Sequence, residues 1–333
     1  MDSKRISIKD VADLAGVSVS AVSRYLNDGY ISSEKKEAIA NAISTTGYKP
    51  SKQAQMLRTR KTNKIGVIVP RISSESVARL LDGISSEITQ TNYELLFAST
   101  SNNADKEIEY IKLFENNPVD GIILIGTFYT KAHKNLLKKS SIPIVVTGQN
   151  FEECPCVYHN DYGAATAMTQ KLIKSGCKNI MYIGITQNDI ATGKDRFDGF
   201  KDTLTKNNIT LNLDLVREAE FSIESGYQVT KNILSSGKRI DGIFCATDNI
   251  AIGAIKAIKE KGLRIPNDIQ VTGIGHNRIS SIITPSLTTT HLFYRECGME
   301  AVRMLLRIIN GNNITNQHIQ LEYEIIQGNT TIA

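Results

Sequence analysis

From residue 64 onward the chain alternates short runs of branched apolar residues with segments of helical period. This alternation constrains the fold more than any other feature. Residues 65–69, 94–98, 121–125 and 142–146 have the length and composition of buried strands, and 77–88 and 106–114 read as helices between them. A second series runs through 180–185, 242–245 and 269–274, separated by helical segments at 164–173, 196–206, 225–234 and 251–261. Short apolar strands alternating with helices make parallel sheets of βαβ units. Two such series, with a break near 158–163, predict an α/β body of two similar parallel-sheet subdomains. Residues 285–291 and the tail past Gln317 are candidate crossovers between them. In open α/β sheets, ligands bind at the carboxyl ends of strands, and a two-part body offers the space between its halves as well.

Charge separates the first fifth of the chain from this body. Residues 1–64 carry 12 Lys/Arg against 6 Asp/Glu, a net +6; the other 269 residues carry 27 against 28, a net −1. A small basic head on a near-neutral body suggests a polyanion-binding module, with a solvated basic surface as the alternative. No stretch reaches the roughly 18–20 apolar residues that cross a bilayer, and the first residues turn polar too early for a signal peptide. A cytoplasmic protein with reduced thiols is therefore expected, and the five cysteines are sparse and odd in number. Cys154-Pro155-Cys156 lacks the two-residue gap and second ligand pair of a metal or redox motif, so an ordinary packing role is the stronger reading.

Within the head, Ser7 and Asp10 fit a capping box ahead of Ile8, Val11, Ala12 and Ala15 at helical spacing. Gly16 interrupts, and Ser18 is placed to cap a second helix with Val22 and Leu26 inward. Ser32 or Ser33 begins a third helix with Ile39 and Ile43 inward, and Gly47 suits its end. Two short helices joined by a tight glycine-containing turn form a helix-turn-helix, whose second helix enters the major groove with its N-terminal residues. The outward positions there are Val19, Ser20, Ser23 and Arg24. Arginine pairs bidentately with guanine, and valine meets a thymine methyl. Pro50 ends the third helix. Residues 51–59 then carry Ala54, Met56 and Leu57, about two turns that are marginal as an isolated helix. Two readings stay open for them: a linker, or a minor-groove element with Leu57 as an apolar wedge.

The stretches IKDVADLAGVSVSAVSRYLN and YKPSKQAQMLRTRKTNKIGVIVP resemble the lactose-repressor (LacI/GalR) family of bacterial transcription regulators, over essentially the whole chain. The resemblance implies a helix-turn-helix domain (1–50), a hinge helix (51–63) and a periplasmic-binding-protein-like core (64–333). In that core one subdomain takes about 64–160 plus 292–322, and the other about 161–291 plus 323–333. It implies a homodimer on near-palindromic operator DNA, with Ser7, Ser18, Val19, Ser20, Ser23, Arg24, Ser51, Gln53, Ala54, Leu57 and Arg58 as candidate contacts. Two details depart: Pro50-Ser51 stands for the usual Pro-Asn, and Gly273-Ile274-Gly275-His276-Asn277 stands where Gly-Phe/Tyr-Asp-Asp is common.

Sugars present hydroxyl pairs and an apolar ring face, so their sites need planar donors, carboxylate or amide acceptors and an aromatic platform. Position just after a strand selects Arg71, Ser74, Gln149, Asp248, Asn249, His276 and Asn277. The resemblance adds Arg196 as a ligand-binding arginine and Phe221 as the stacking aromatic, and it puts Gln149 and Gly275 where carboxylates often contact the sugar. Asp248 reads equally as a helix cap. Phosphate-binding, dinucleotide, zinc-protease and nucleophile-elbow motifs are absent, and the five histidines are scattered. No enzyme activity, cofactor or metal is expected. The expectation is a sugar-responsive repressor of a carbohydrate operon, nearest in character to sucrose-operon repressors. The alternatives are a global catabolite regulator with a phosphoprotein corepressor, or a sugar-binding protein with no DNA role.

Overall fold

The computed structural model describes residues 6–27, 29–49, 61–117, 119–312 and 317–332. The chain divides into two compact units, Met1–Thr62 and Asn63–Ala333.

The first unit is three helices, α1 (Ile8–Leu14), α2 (Val19–Tyr25) and α3 (Ser33–Thr46), around Val11, Ala12, Ala21, Val22, Ile39 and Ala42. Ser7 caps α1 with the expected reciprocal box: its hydroxyl accepts from the Asp10 amide, and the Asp10 carboxylate accepts from the Ser7 amide at 2.8 Å. Ser18 caps α2 through the Ala21 amide. Ser32 is the N-cap residue of α3, and Gly47 ends that helix at φ +63°, a backbone conformation that disfavours side chains.

The second unit begins with a six-stranded parallel sheet in the order β11-β5-β4-β3-β1-β2. Its strands are β1 (Lys64–Val69), β2 (Glu94–Ser99), β3 (Gly121–Ile125), β4 (Ile144–Thr147), β5 (Cys156–His159) and β11 (His318–Leu321). β3 and β4 are buried throughout, as continuous apolar strands covered on both faces must be. Helices α4 (Glu75–Ile88) and α12 (Tyr294–Ile309) cover one face, over Ile65, Val67, Ile84, Val302 and Leu305. They cross closely: a Cβ on Gly83 would lie 1.9 Å from the Arg295 carbonyl oxygen, and one on Gly298 2.1 Å from that of Leu80. Helices α5 (Ala104–Asn116) and α6 (Lys131–Lys139) lie beside this sheet, with Ile111, Phe114 and Leu137 packed on Ile68, Ile122 and Val146.

A four-stranded parallel sheet follows, in the order β7-β6-β8-β9: β6 (Ile180–Gly184), β7 (Val216–Glu218), β8 (Gly242–Cys245) and β9 (Gln270–Thr272). Its helices are α7 (Asp161–Lys174), α8 (Arg196–Lys206), α9 (Ile223–Ser235), α10 (Asp248–Glu260) and the short α11 (Arg278–Ile282). The chain leaves the first sheet between His159 and Asp161, where the sequence breaks. It returns through β10 (Thr289–Leu292) and α12 to β11, then runs out along β12 (Tyr323–Ile326), antiparallel to β10.

The expected strand 142–146 is displaced to 144–147, because Pro143 has no amide to donate and only its carbonyl joins the ladder, to Ile122. Residues 269–274 shrink to three. Helices α6 and α12 and strands β5 and β7 were not expected. Helix α12 is strongly two-faced, with Cys297, Ala301, Val302 and Leu305 inward, so its period was available in the sequence. Strands β5 and β7 have only four and three residues, too few for a period to register. All five cysteines are buried and free, and the Cys156 thiol is hydrogen-bonded to the Phe151 and Cys154 carbonyls.

Candidate functional site

In the head, the turn between α1 and α2 holds Gly16 at φ +64°. The start of α2 is turned to solvent: Ser18, Val19, Ser20 and Arg24 are exposed and Ser23 is half-buried. The inward positions, Ala21 and Val22, are spent on the core, so this face is free to read another surface. Arg24 lies back along the helix, its Nε donating to the Ser20 carbonyl at 3.4 Å. Ser7 is exposed at the start of α1. Ser51, Gln53, Ala54, Leu57 and Arg58 lie outside the described residues.

In the body, the carboxyl ends of both sheets open on one cavity. It encloses about 700 Å³ of empty space, open mouth included. From the six-stranded sheet come Arg71 and Ser74 after β1, Thr127 after β3, Gln149 after β4, and Asp161 after β5. From the other come Asp189 after β6, Arg196 at the start of α8, and Phe221 after β7. An adjoining space, reached past Arg71 and Phe221, is lined by Asn249 and Asn277. Another, past Asp189, is lined by Phe128, Glu218 and Glu220.

Three contacts organise the walls. Arg196 is 3% exposed, and its Nε donates to Asp161 Oδ1 at 2.7 Å while its terminal nitrogens reach Asp161 and the Ala246 carbonyl. Burial works against this charge, but Asp161 and the Tyr294 hydroxyl outweigh it and hold the Arg196 pKa above its ordinary value. Second, Gln149 spans the two halves. Its Nε2 donates to Asp189 Oδ1 at 2.9 Å and its Oε1 accepts from the Ala191 amide at 3.0 Å. Burial raises the Asp189 carboxyl to about 6, against the pull of Gln149 and the Thr192 amide. Third, the Arg71 guanidinium lies 5.0 Å from the Phe221 ring centroid, which pairs a planar cation with an aromatic face.

The predicted effector residues therefore divide. Arg71, Ser74, Gln149, Arg196 and Phe221 meet at the cavity, and Asn277 lines its side space. Asp248 and His276 line none of these spaces. Asp248 is fully buried behind the wall, accepting from the Ser280 and Thr289 hydroxyls at 2.6 Å each and from the Asn277 amide at 2.8 Å. The N-cap of α10 is Thr247. The geometry makes Asp248 a tie between loops, because both of its oxygens are consumed inside the layer. His276 turns toward β10, its Nδ1 3.2 Å from that of His291, and its carbonyl accepts from Arg79 on α4.

The profile for bacterial regulatory proteins of the lacI family matches residues 7–51, and that for a periplasmic binding protein-like domain matches residues 169–331. The sucrose operon repressor of Staphylococcus xylosus is 31% identical, over 96% of this chain and 98% of its own length. The chain belongs to the lacI family of bacterial regulatory proteins. Catabolite control protein A of Priestia megaterium is 29% identical, over 96% of this chain and 97% of its own length. In fold the chain is similar to the lac repressor dimer bound to operator and the anti-inducer ONPF, with a TM-score of 0.88 at 24% identity over 99% of this chain and 100% of that one.

As a lacI-family member the chain is a DNA-binding transcriptional regulator, with a helix-turn-helix head on a two-sheet α/β body. Its relatives are regulators rather than enzymes. Among the described residues no cluster of His, Cys, Asp and Glu could hold a metal ion, and no helix is long and apolar enough to cross a membrane. Sequence reasoning missed Asp161, Asp189 and Tyr294 as cavity residues. Asp189 stands just beyond a strand that had been expected, so the strand-end rule reaches it. Asp161 and Tyr294 follow elements too short or too late in the chain to have been marked.

Proposed function

We propose that the chain represses a carbohydrate-utilisation operon from the cytoplasm. It does so as a homodimer on near-palindromic operator DNA, and a small sugar in the cavity controls its grip. Sucrose or a related sugar is the effector favoured by the similarity to a sucrose operon repressor. The observation that carries this reading is the cavity at the carboxyl edges of both sheets. There Arg196, held by Asp161, and Gln149, held by Asp189, share a cavity wall with the Phe221 ring. A ligand bridging those walls favours one arrangement of two subdomains, read as 64–160 with 292–322 and 161–291 with 323–333. Differential affinity for the two arrangements sets the coupling to DNA, typically ~1–3 kcal/mol. On DNA, Arg24 reads guanine and Val19 a thymine methyl, with Ser20 and Ser23 beside them and Ser7 and Ser18 near the backbone. The basic head makes affinity fall steeply with salt.

Gel shifts of the full chain on duplexes selected by binding from a random pool, with and without sucrose, glucose and fructose, test the proposal. Release or strengthening by one sugar is the expected result, and Arg196→Ala should remove that response while keeping operator affinity. Loss of DNA binding in an Arg196→Ala chain that circular dichroism shows to be folded would refute the assignment. The similarity to a catabolite control protein favours one other reading, in which a phosphoprotein corepressor replaces the sugar. Strengthening by such a protein and indifference to sugars would select it.

A further inference from the structure

We infer that Asp189 is the ligand-facing acceptor of the cavity, and that it makes the site a receptor for neutral polyhydroxylated ligands and a barrier to their phosphorylated counterparts. The inference rests on the sugar reading above and narrows it to a chemical class.

Asp189 is 4% exposed and lies where the main cavity meets the space bounded by Glu218 and Glu220. Both hydrogen bonds it receives end on one oxygen. Gln149 Nε2 donates to Oδ1 at 2.9 Å, and the Thr192 amide donates to the same Oδ1 at 2.8 Å. These donors belong to the wall and fix the carboxylate plane. Oδ2 has no hydrogen-bond donor among the described residues. A carboxylate oxygen on a cavity wall takes its donors from whatever occupies the cavity, ligand or water. Sugar hydroxyls are donors of this kind. The carboxylate that Gln149 holds is Asp189, brought from the other sheet.

The charges around this oxygen decide what kind of ligand suits it. Arg196 is already engaged by Asp161 and by the Ala246 carbonyl. Arg71 stacks on Phe221 and feels Glu220. His159, on the same cavity, is fully buried, and burial lowers its pKa and favours its neutral form. The main cavity thus carries two cations, Arg71 and Arg196, and two carboxylates, Asp161 and Asp189, and the adjoining space adds Glu218 and Glu220. A phosphate dianion entering this space would face the open oxygen of Asp189 with Glu218 and Glu220 beyond it, and would have to compete with Asp161 for Arg196. A neutral hydroxyl pair donates to Oδ2 and accepts from the arginines without displacing either carboxylate.

Thermal-shift titrations of the full chain with sucrose, sucrose 6-phosphate, glucose and glucose 6-phosphate test this. The neutral sugar should raise the melting temperature, with its phosphate ester at least tenfold weaker. Asp189→Asn keeps the size and the bond to the Gln149 side chain but loses the anionic acceptor. It should weaken the neutral sugar at least tenfold while leaving operator affinity near that of the parent. In the parent, sugar affinity should fall as pH drops through 6, and in Asp189→Asn that fall should shrink. The titratable and charged groups around Asp189 are Asp161, Asp195, Arg196 and Tyr182, with Glu218 and Glu220 across the adjoining space, and all are unchanged in the variant. A response to phosphorylated sugars alone would overturn this inference and leave the sugar reading standing. Unchanged neutral-sugar affinity in Asp189→Asn would overturn it as well. No shift from either series would remove both readings. The comparison of neutral and phosphorylated sugars on the parent chain is decisive even if the variant folds poorly.

Discussion

Asp161 and Asp248 begin helices α7 and α10 in equivalent places, each just past a strand and each almost wholly buried. Their surroundings could hardly differ more. Asp248 is sealed: Ser280, Thr289 and the Asn277 amide satisfy it from its own layer, and burial still raises its pKa. Asp161 faces the cavity and is satisfied by a full counter-charge, Arg196, from the next helix. One is a knot that ties loops together; the other belongs to a surface a ligand can meet. Burial of an acid therefore says little about function until the direction of its remaining lone pairs is known.

This contrast can be broken by experiment. The largest effect is expected from Asp161→Ala, which leaves the buried Arg196 charge uncompensated. About 3–5 kcal/mol of stability should be lost in urea unfolding, together with sugar binding. Asp248→Ala strands two hydroxyls and an amide and should cost about 2–4 kcal/mol. Sugar affinity, measured by calorimetry below the melting point, should change less than twofold. A tenfold loss there would mean that Asp248 reaches the ligand after all.

The third test uses pH. Asp189 has its folded pKa raised to about 6 from an ordinary 3.8, mainly by burial. The folded chain then binds this proton more tightly than the unfolded chain does. The stability it contributes is full below about pH 4 and is lost as pH rises through about 6, on the order of 3 kcal/mol. Asp189→Asn should flatten that part of the stability curve, and Asp248→Asn should leave it in place. The smallest effect is local. Ser18→Ala removes the α2 cap and should cost about 1 kcal/mol in the head, seen as faster hydrogen exchange of the α2 amides, with sugar affinity unchanged.

The site was legible in proportion to how local its signals are. Arg71, Ser74 and Gln149 were found because each follows a strand long enough to show its period. Arg196 and Phe221 came from a family resemblance. Asp248 and His276 satisfy the same strand-end rule but line none of the spaces described above. The rule gives the edge of the sheet but not whether a side chain turns into the gap or back toward β10. Asp189 obeyed the rule and was passed over, since nothing in its neighbours announces that Gln149, forty positions earlier, will meet it.

What could be known without coordinates was everything that depends on spacing along the chain. The capping box at Ser7, the glycine-broken helix pair, the apolar strands and the helices between them each report through residues a few positions apart, where hydrogen bonding and burial act locally. The tertiary structure alone decided which buried acids are spent and which are offered. Hydrogen-bond saturation is a property of three-dimensional neighbours. Ser280 and Thr289 close Asp248, while Gln149 and Thr192 occupy only one oxygen of Asp189.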